Sequence, residues 1–343
     1  MSMNDARVLV VDDSAAMRAL FSDLLDQARN VQVVGTAANA NEARDQIAAL
    51  RPNVITLDVE MPGMSGIEFL EEIMTTNPLP VVMLSSLTQT GTEISLKAYE
   101  LGAVECFPKP LKASPEQFAK TVGKLGKIVL AAANSNVKEK KKKAEAHLDT
   151  AFEWNGRIAA FSASMGGIEA LTDLFAGYPE KCPATVVVLQ TEPELAETFV
   201  KRLDGELKCA VRQVTDGVAL EEGVVHIAAD PNAHVVLEPG NPPKLRLLPR
   251  DPIEGVRPSA NLLFGTVARA GIPAVGAVLS GMGADGAKGL KLLRDAGSNT
   301  LVQSPSSAVV GESPRAAIAM NSAEREVPIE DLAAAVLACC NKT

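Results

Sequence analysis

The sequence predicts an α/β protein of two doubly wound domains, and three observations carry that expectation. Its 343 residues exceed the roughly 100–200 typical of one domain. Short β-branched runs alternate with amphipathic Ala/Leu-rich stretches in both halves, and a lysine-rich, apolar-poor segment separates the halves. Such alternation builds a parallel sheet covered by helices on both faces, with ligands bound beyond the carboxyl ends of the strands.

Strand runs fall at 7–11, 31–36, 54–57, 80–84 and 105–107, with helical patterns between them, so five βα units fill a first domain at 1–125. Residues 126–153 are expected to form a linker. In it Asn134-Ser135-Asn136 gives way to Lys138-Glu139-Lys140-Lys141-Lys142-Lys143, which buries too little apolar surface to offset the cost of ordering the chain. The second domain, 154–343, shows strand runs at 157–162, 184–189, 224–228, 235–237, 245–248, 274–279 and 300–303. Helical patterns occupy 167–175, 194–203, 260–270, 284–296, 314–322 and 329–340. The stretch 205–250 reads as a β-rich excursion from this second sheet.

Aromatic residues make up 3% of the chain, leaving Ala, Val, Leu and Ile to fill the cores. A net charge of −9 argues against nucleic acid as a partner. The five cysteines show no C-x-x-C pair or zinc spacing, and the N-terminus lacks a secretory layout. No uninterrupted apolar stretch reaches the ~18–20 residues that span a bilayer. A cytoplasmic protein without membrane insertion is the expectation.

Asp12 and Asp13 follow the first strand run, Asp58 the third, Ser85 the fourth and Lys109 the fifth. All five therefore fall at one edge of the predicted parallel sheet. Three carboxylates converging there repel one another unless a divalent cation is bound, and hard oxygen donors suit Mg2+. Asp58 is the best placed to attack a phosphoryl group, because the turn Met61-Pro62-Gly63-Met64-Ser65-Gly66 directly follows it. Lys109 can balance the phosphoryl oxygens, and Ser85 can bond them and convert the chemistry into a loop shift.

This constellation resembles the response-regulator receiver domain across 7–125, through V-V-D-D-S at 10–14, L-D-V-E-M-P-G-M-S-G at 57–66, S-S at 85–86 and K-P at 109–110. The resemblance implies phosphotransfer to Asp58 from a histidine kinase of the chemotaxis type, with Asp12, Asp13 and Asp58 on Mg2+. One position departs from it. Three residues before the lysine such domains usually carry Tyr or Phe as a rotamer switch, and here stands Cys106.

In the second domain Ser164 sits at a strand-to-helix turn, the usual perch of a serine nucleophile, where backbone N–H groups can stabilise an oxyanion. Asp285, and Met282 with its N–H, follow the run 274–279, and Gln190-Thr191-Glu192-Pro193 ends another strand. A triad can be assembled from these three corners. The stretch 155–341 resembles the chemotaxis receptor methylesterase family of the CheB type, through S-A-S-M-G-G at 162–167, R-P-S at 257–259, G-M-G-A-D-G-A at 281–287 and S-P-R-A-A-I at 313–318. The resemblance implies a Rossmann-like hydrolase domain without a cofactor, with Ser164 as nucleophile, Asp285 as orienting acid and the Met282 N–H in the oxyanion hole. It further implies hydrolysis of glutamate γ-methyl esters, and often glutamine deamidation, on chemoreceptor cytoplasmic helices, with phosphorylation of Asp58 relieving a block on the active site.

The family's base is the histidine of Q-H-x-P, and here that position holds Thr191. G-A-S-T-G-G has become S-A-S-M-G-G, and a D-E-A segment has become Ser304-Pro305-Ser306. A threonine hydroxyl cannot accept a proton at neutral pH as imidazole does. Among the other histidines, His147 belongs to the expected linker, His226 to a strand pattern, and His234 matches a second histidine that the family carries beside its base. The expectation is an impaired hydrolase in which Asp285 has no imidazole to orient. The alternative is a non-catalytic phospho-signalling or receptor-binding protein.

Overall fold

Val54–Asp58 and Val81–Ser85 are buried at every residue, as strands covered on both faces must be. In the computed structural model, which describes residues 5–85, 89–109, 115–137 and 152–342, the chain divides into two compact units between residues 142 and 143. The first unit alternates β1 (Ala6–Val11), α1 (Ala15–Asp26), β2 (Val31–Ala37), α2 (Ala40–Leu50), β3 (Val54–Asp58) and α3 (Gly66–Thr76). It continues with β4 (Val81–Ser85), α4 (Gln89–Leu101), β5 (Glu105–Pro108) and α5 (Pro115–Ala133). The sheet is parallel throughout, in the order β2-β1-β3-β4-β5. Strand order reverses between β1 and β3, and the carboxyl ends of those two strands open the crevice in which such sheets bind ligands.

Side-chain caps fix where the helices start. Ser14 caps α1 and Asn39 caps α2, while Ser65 and Glu68 bond each other's backbone reciprocally at the start of α3. The end of α5 departs from the sequence expectation. The helix continues past residue 125, the expected end of the first domain, to Ala133, and buries Leu125, Ile128, Val129 and Ala132. These four recur at i, i+3, i+4 and i+7, the spacing of one apolar helix face. The lysine-rich remainder of the expected linker, 138–151, lies outside the described residues.

The second unit opens with β6 (Ile158–Ala163), α6 (Gly167–Ala176), β7 (Thr185–Leu189) and α7 (Pro193–Glu206). Then come β8 (Ala210–Gln213), β9 (Val218–Ala219), β10 (Val224–Ala228), β11 (His234–Glu238) and β12 (Lys244–Leu248). The chain ends through α8 (Ala260–Ala270), β13 (Ala274–Val278), α9 (Ala287–Asp295), β14 (Asn299–Gln303), α10 (Glu312–Ala319), β15 (Arg325–Val327) and α11 (Ile329–Cys340). Seven strands pair in parallel in the order β15-β14-β13-β6-β7-β10-β8, and β11-β12-β9 form a small separate sheet. The excursion at 205–250 is thus divided, with β8 and β10 joining the main sheet.

Phe161, Phe175 and Phe264 are fully buried in this unit, each worth roughly 1.5–3 kcal/mol of transfer free energy. Strand order reverses between β6 and β13, so the crevice of the second sheet lies at the carboxyl ends of β6 and its neighbours β13 and β7. No helix among the described residues is long and apolar enough to cross a membrane.

Candidate functional site

Each unit gathers polar side chains at its crevice. In the first, Asp12 and Asp13 leave the end of β1 and Asp58 ends β3, and one carboxylate oxygen from each lies within 4.8 Å of the others. Asp12 and Asp58 are buried and Asp13 is exposed. Lys109, just beyond β5, places its Nζ 2.6 Å from Asp58 Oδ1 and 2.9 Å from Asp12 Oδ2. Burial raises the Asp58 pKa above its ordinary value; Lys109 pulls against this and the neighbouring Asp12 charge adds to it. Burial lowers the Lys109 pKa, but the two carboxylates outweigh it and hold the ammonium above its ordinary value. One ammonium against three carboxylates leaves negative charge in the cleft, and this set of hard oxygen donors fits Mg2+.

The loop after β3 shapes this cleft. Gly66 N–H donates to Val59 O at 2.9 Å, and a Cβ at Gly66 would lie 1.8 Å from Asp58 O, so only glycine lets α3 start this close to the strand end. Ser85 is buried at the end of β4, its Oγ 3.2 Å from Ser95 Oγ, and its carbonyl accepts the Lys109 N–H at 2.8 Å. Ser86 and Pro110 lie outside the described residues. Cys106 is buried in β5, with its thiol on the Ser95 carbonyl at 3.6 Å and its N–H on the Tyr99 hydroxyl at 3.1 Å. Burial pushes that thiol's pKa up.

In the second unit the carboxyl ends of β6, β13 and β7 bring Ser164, Met282, Asp285 and Gln190 to one edge. The turn after β6 is closed by Gly167 N–H to Ser164 O at 2.7 Å. Gly166, at φ 71°, caps α6 in the left-handed region that glycine enters without strain. Met282 N–H donates to Ser164 Oγ at 3.0 Å. The nucleophile candidate therefore touches the backbone group assigned to the oxyanion hole. Met165 is buried, and its carbonyl accepts from Ser280 Oγ at 2.9 Å.

Asp285 is not idle, contrary to the expectation of a carboxylate with nothing to orient. Its Oδ1 accepts from Ser259 Oγ at 2.8 Å and Asn261 N–H at 3.1 Å. Its Oδ2 accepts from Ala260 N–H at 2.7 Å and Gln190 Nε2 at 2.9 Å. Ser259 makes no cap of its own to α8, so Asp285 supplies the acceptor for the first N–H groups of that helix from another loop. Sequence reasoning missed this role. The R-P-S motif was its only trace, since Ser259 supplies both the hydroxyl donor and the N-cap position.

No imidazole bonds to Ser164 among the described residues. His234 is fully buried, with Nδ1 accepting Ser259 N–H at 3.1 Å and Nε2 3.0 Å from Asp251 O. With Nδ1 an acceptor, Nε2 carries the proton and donates to that carbonyl, so both nitrogens are engaged. His226 lies within β10, registered with Val186 and Arg212, and its Nδ1 is buried without a hydrogen-bond partner among the described residues. Burial depresses the His226 pKa, with the nearby Arg212 charge acting the same way and a backbone bond to Thr185 opposing both. His147 lies outside the described residues. Thr191 is half-buried beside Gln190 and makes no side-chain hydrogen bond among the described residues.

The comparisons with known proteins agree with this two-part layout. The CheB methylesterase family matches residues 159–336 and the response regulator receiver domain matches 8–122. A protein-glutamate methylesterase/protein-glutamine glutaminase of Caulobacter vibrioides is 42% identical, covering 98% of both chains. Its counterpart in Agrobacterium fabrum is 40% identical over 97% of this chain and 96% of its own. The methylesterase catalytic domain of Thermotoga maritima CheB superposes with a TM-score of 0.51 over 54% of this chain and 98% of its own. At 24% identity it supports the fold alone.

Proposed function

The chain belongs to the CheB methylesterase family and carries a receiver domain ahead of its methylesterase domain; from that premise we propose that it is a phosphorylation-responsive chemotaxis protein whose ester hydrolysis is impaired. A kinase supplies the phosphoryl group to the receiver, and the methylesterase domain addresses chemoreceptors. Asp58 accepts the phosphoryl group through a carboxylate oxygen, the bond from phosphorus to the donor histidine breaking as the new P–O bond forms. Asp12, Asp13 and Asp58 would hold Mg2+, which when bound supplies positive charge to the phosphoryl oxygens. Lys109 adds a second positive charge from within the protein, and Ser85 donates to the phosphoryl group as its bond to Ser95 is exchanged.

Impairment rests on the surroundings of Ser164 Oγ, which holds the Met282 N–H and has no imidazole partner among the described residues. Attack on a glutamate γ-methyl ester requires that the hydroxyl proton pass to a base as the C–O bond forms, and methanol must then take up a proton to leave. Thr191 supplies no such base. Removing the imidazole of a serine triad costs roughly 10⁶ in turnover, with ~10³–10⁴ over water remaining from binding and the oxyanion hole.

A second reading is a receptor-binding module without catalysis. The four hydrogen bonds into Asp285 favour it, because they give the triad carboxylate a reason to persist after its catalytic use has gone. A Thr191→His variant tests the impaired-hydrolase reading. It is expected to release methanol from methylated chemoreceptors well above wild type, and Ser164→Ala should abolish the gain. A wild type that already matches the variant would overturn the proposal.

A further inference from the structure

At the opposite, amino-terminal edge of the second sheet lies a cavity of about 680 Å3 between the starts of β6, β14 and β15 and the end of α11. Arg157 precedes β6, Asn299 opens β14, Arg325 opens β15, Cys339 lies in the last turn of α11 and Lys342 just beyond it. Among the described residues no carboxylate lines it. In a chain of net charge −9, three cations therefore share one opening without an acid among its described walls. The two guanidinium groups make no ion pair and no side-chain hydrogen bond among the described residues. Lys342 meets Glu153 only at 3.4 Å, and both side chains are mostly exposed, so that pair holds it weakly.

Cations at a helix end often serve the carbonyls there, as those that end α11 would require. Asn155 already does that work. Its Nδ2 donates to Cys339 O at 3.0 Å and to Asn341 O at 3.1 Å, and its N–H donates to Cys340 O at 2.9 Å. Among the described residues the guanidiniums are left over, with the Asn299 side-chain amide beside them.

We propose that this cavity binds a small phosphate-bearing ligand through Arg157, Arg325 and Lys342, apart from both sites described above. Two guanidinium forks match phosphate oxygens in pairs, and three positive charges balance a diphosphate better than a single carboxylate. The volume leaves room for a group beyond the phosphates, as in a nucleoside diphosphate.

The test is titration calorimetry of the full chain with pyrophosphate, ADP and adenosine at low salt. EDTA is present throughout, so that the acidic cleft of the first unit cannot hold a metal-bound phosphate. Pyrophosphate and ADP should bind and adenosine should not, with ADP tighter than pyrophosphate if the natural ligand is a nucleotide and equal to it if the diphosphate alone is read. An Arg157→Gln/Arg325→Gln double variant should weaken both by about tenfold or more, the loss expected for charge-assisted bonds. The exposed Lys342→Gln change, which disturbs no packing, should weaken them less.

Cys339 gives an independent readout that locates the ligand. It is the one cysteine that is not buried, so it should alkylate first, and saturating pyrophosphate should slow that reaction severalfold. Absence of binding at millimolar pyrophosphate would overturn the proposal. So would affinity unchanged in the double variant, or an unprotected Cys339.

Discussion

Replacing Asp285 by alanine should damage stability rather than turnover, and the size of the effect follows from its four partners. Each hydrogen bond to an ionised carboxylate is worth about 1.5–3 kcal/mol. The full sum is not lost, because Asp285 is only half-buried and water can reach some of the released donors. Loss of a helix cap alone costs about 1–2 kcal/mol. Adding the stranded Ser259 hydroxyl and the Gln190 amide, which keeps only its longer bond to Pro258 O at 3.3 Å, brings the expected cost to roughly 3–4 kcal/mol. With a urea m-value of about 2 kcal/mol/M, the midpoint of the second unit should fall by roughly 1.5–2 M. Asp285→Asn keeps one acceptor oxygen and should lose about half as much. Trp154 is the chain's one tryptophan and donates from its ring to Arg157 O at 2.6 Å, so its fluorescence reports on the second unit by itself. A cost below about 1 kcal/mol would refute the claim that Asp285 now serves as a structural cap.

Two further outcomes follow from the geometry. His226 is held below its ordinary pKa by burial. The unfolded chain therefore takes up a proton near pH 6.5 that the folded chain does not yet bind, so stability should fall as pH drops below about 6.5, by up to about 1.4 kcal/mol per pH unit. His226→Leu should flatten that part of the curve in urea melts at pH 7.5 and below; an identical slope in the variant would place the proton elsewhere. With acetyl phosphate and Mg2+, intact-mass analysis should show one phosphoryl group on wild type, none on Asp58→Asn, and slower labelling when Mg2+ is withheld. A variant that labels like wild type would reassign the acceptor.

Much of the fold was legible because parallel strands buried on both faces are plain apolar runs. Val224–Ala228 and the helix Ala260–Ala270 match their sequence patterns at both ends. The strands that escaped were short and open to solvent. β15 exposes Arg325 and Glu326, and β8 exposes Arg212 and Gln213, so neither carries the apolar signal that marks a strand. The end of α5 was missed for another reason: Lys124 and Lys127 lie on its exposed side and interrupt an apolar face that reads clearly only at helical spacing. In the candidate site, the placement of Ser164, Met282 and Asp285 at one edge follows from strand order. The use made of Asp285 does not, because it depends on where the chain beyond the excursion returns to start α8. Nothing local to Gly281–Gly286 announces that contact.

The proposed impairment leaves Ser164 without a proton acceptor. Its most direct test compares methanol release from methylated chemoreceptors by wild type and Ser164→Ala, both assayed under phosphorylating conditions with Asp58 labelling verified. The two rates should coincide within error. A wild-type rate far above that of the alanine variant, approaching a relative with histidine at the Thr191 position, would contradict it.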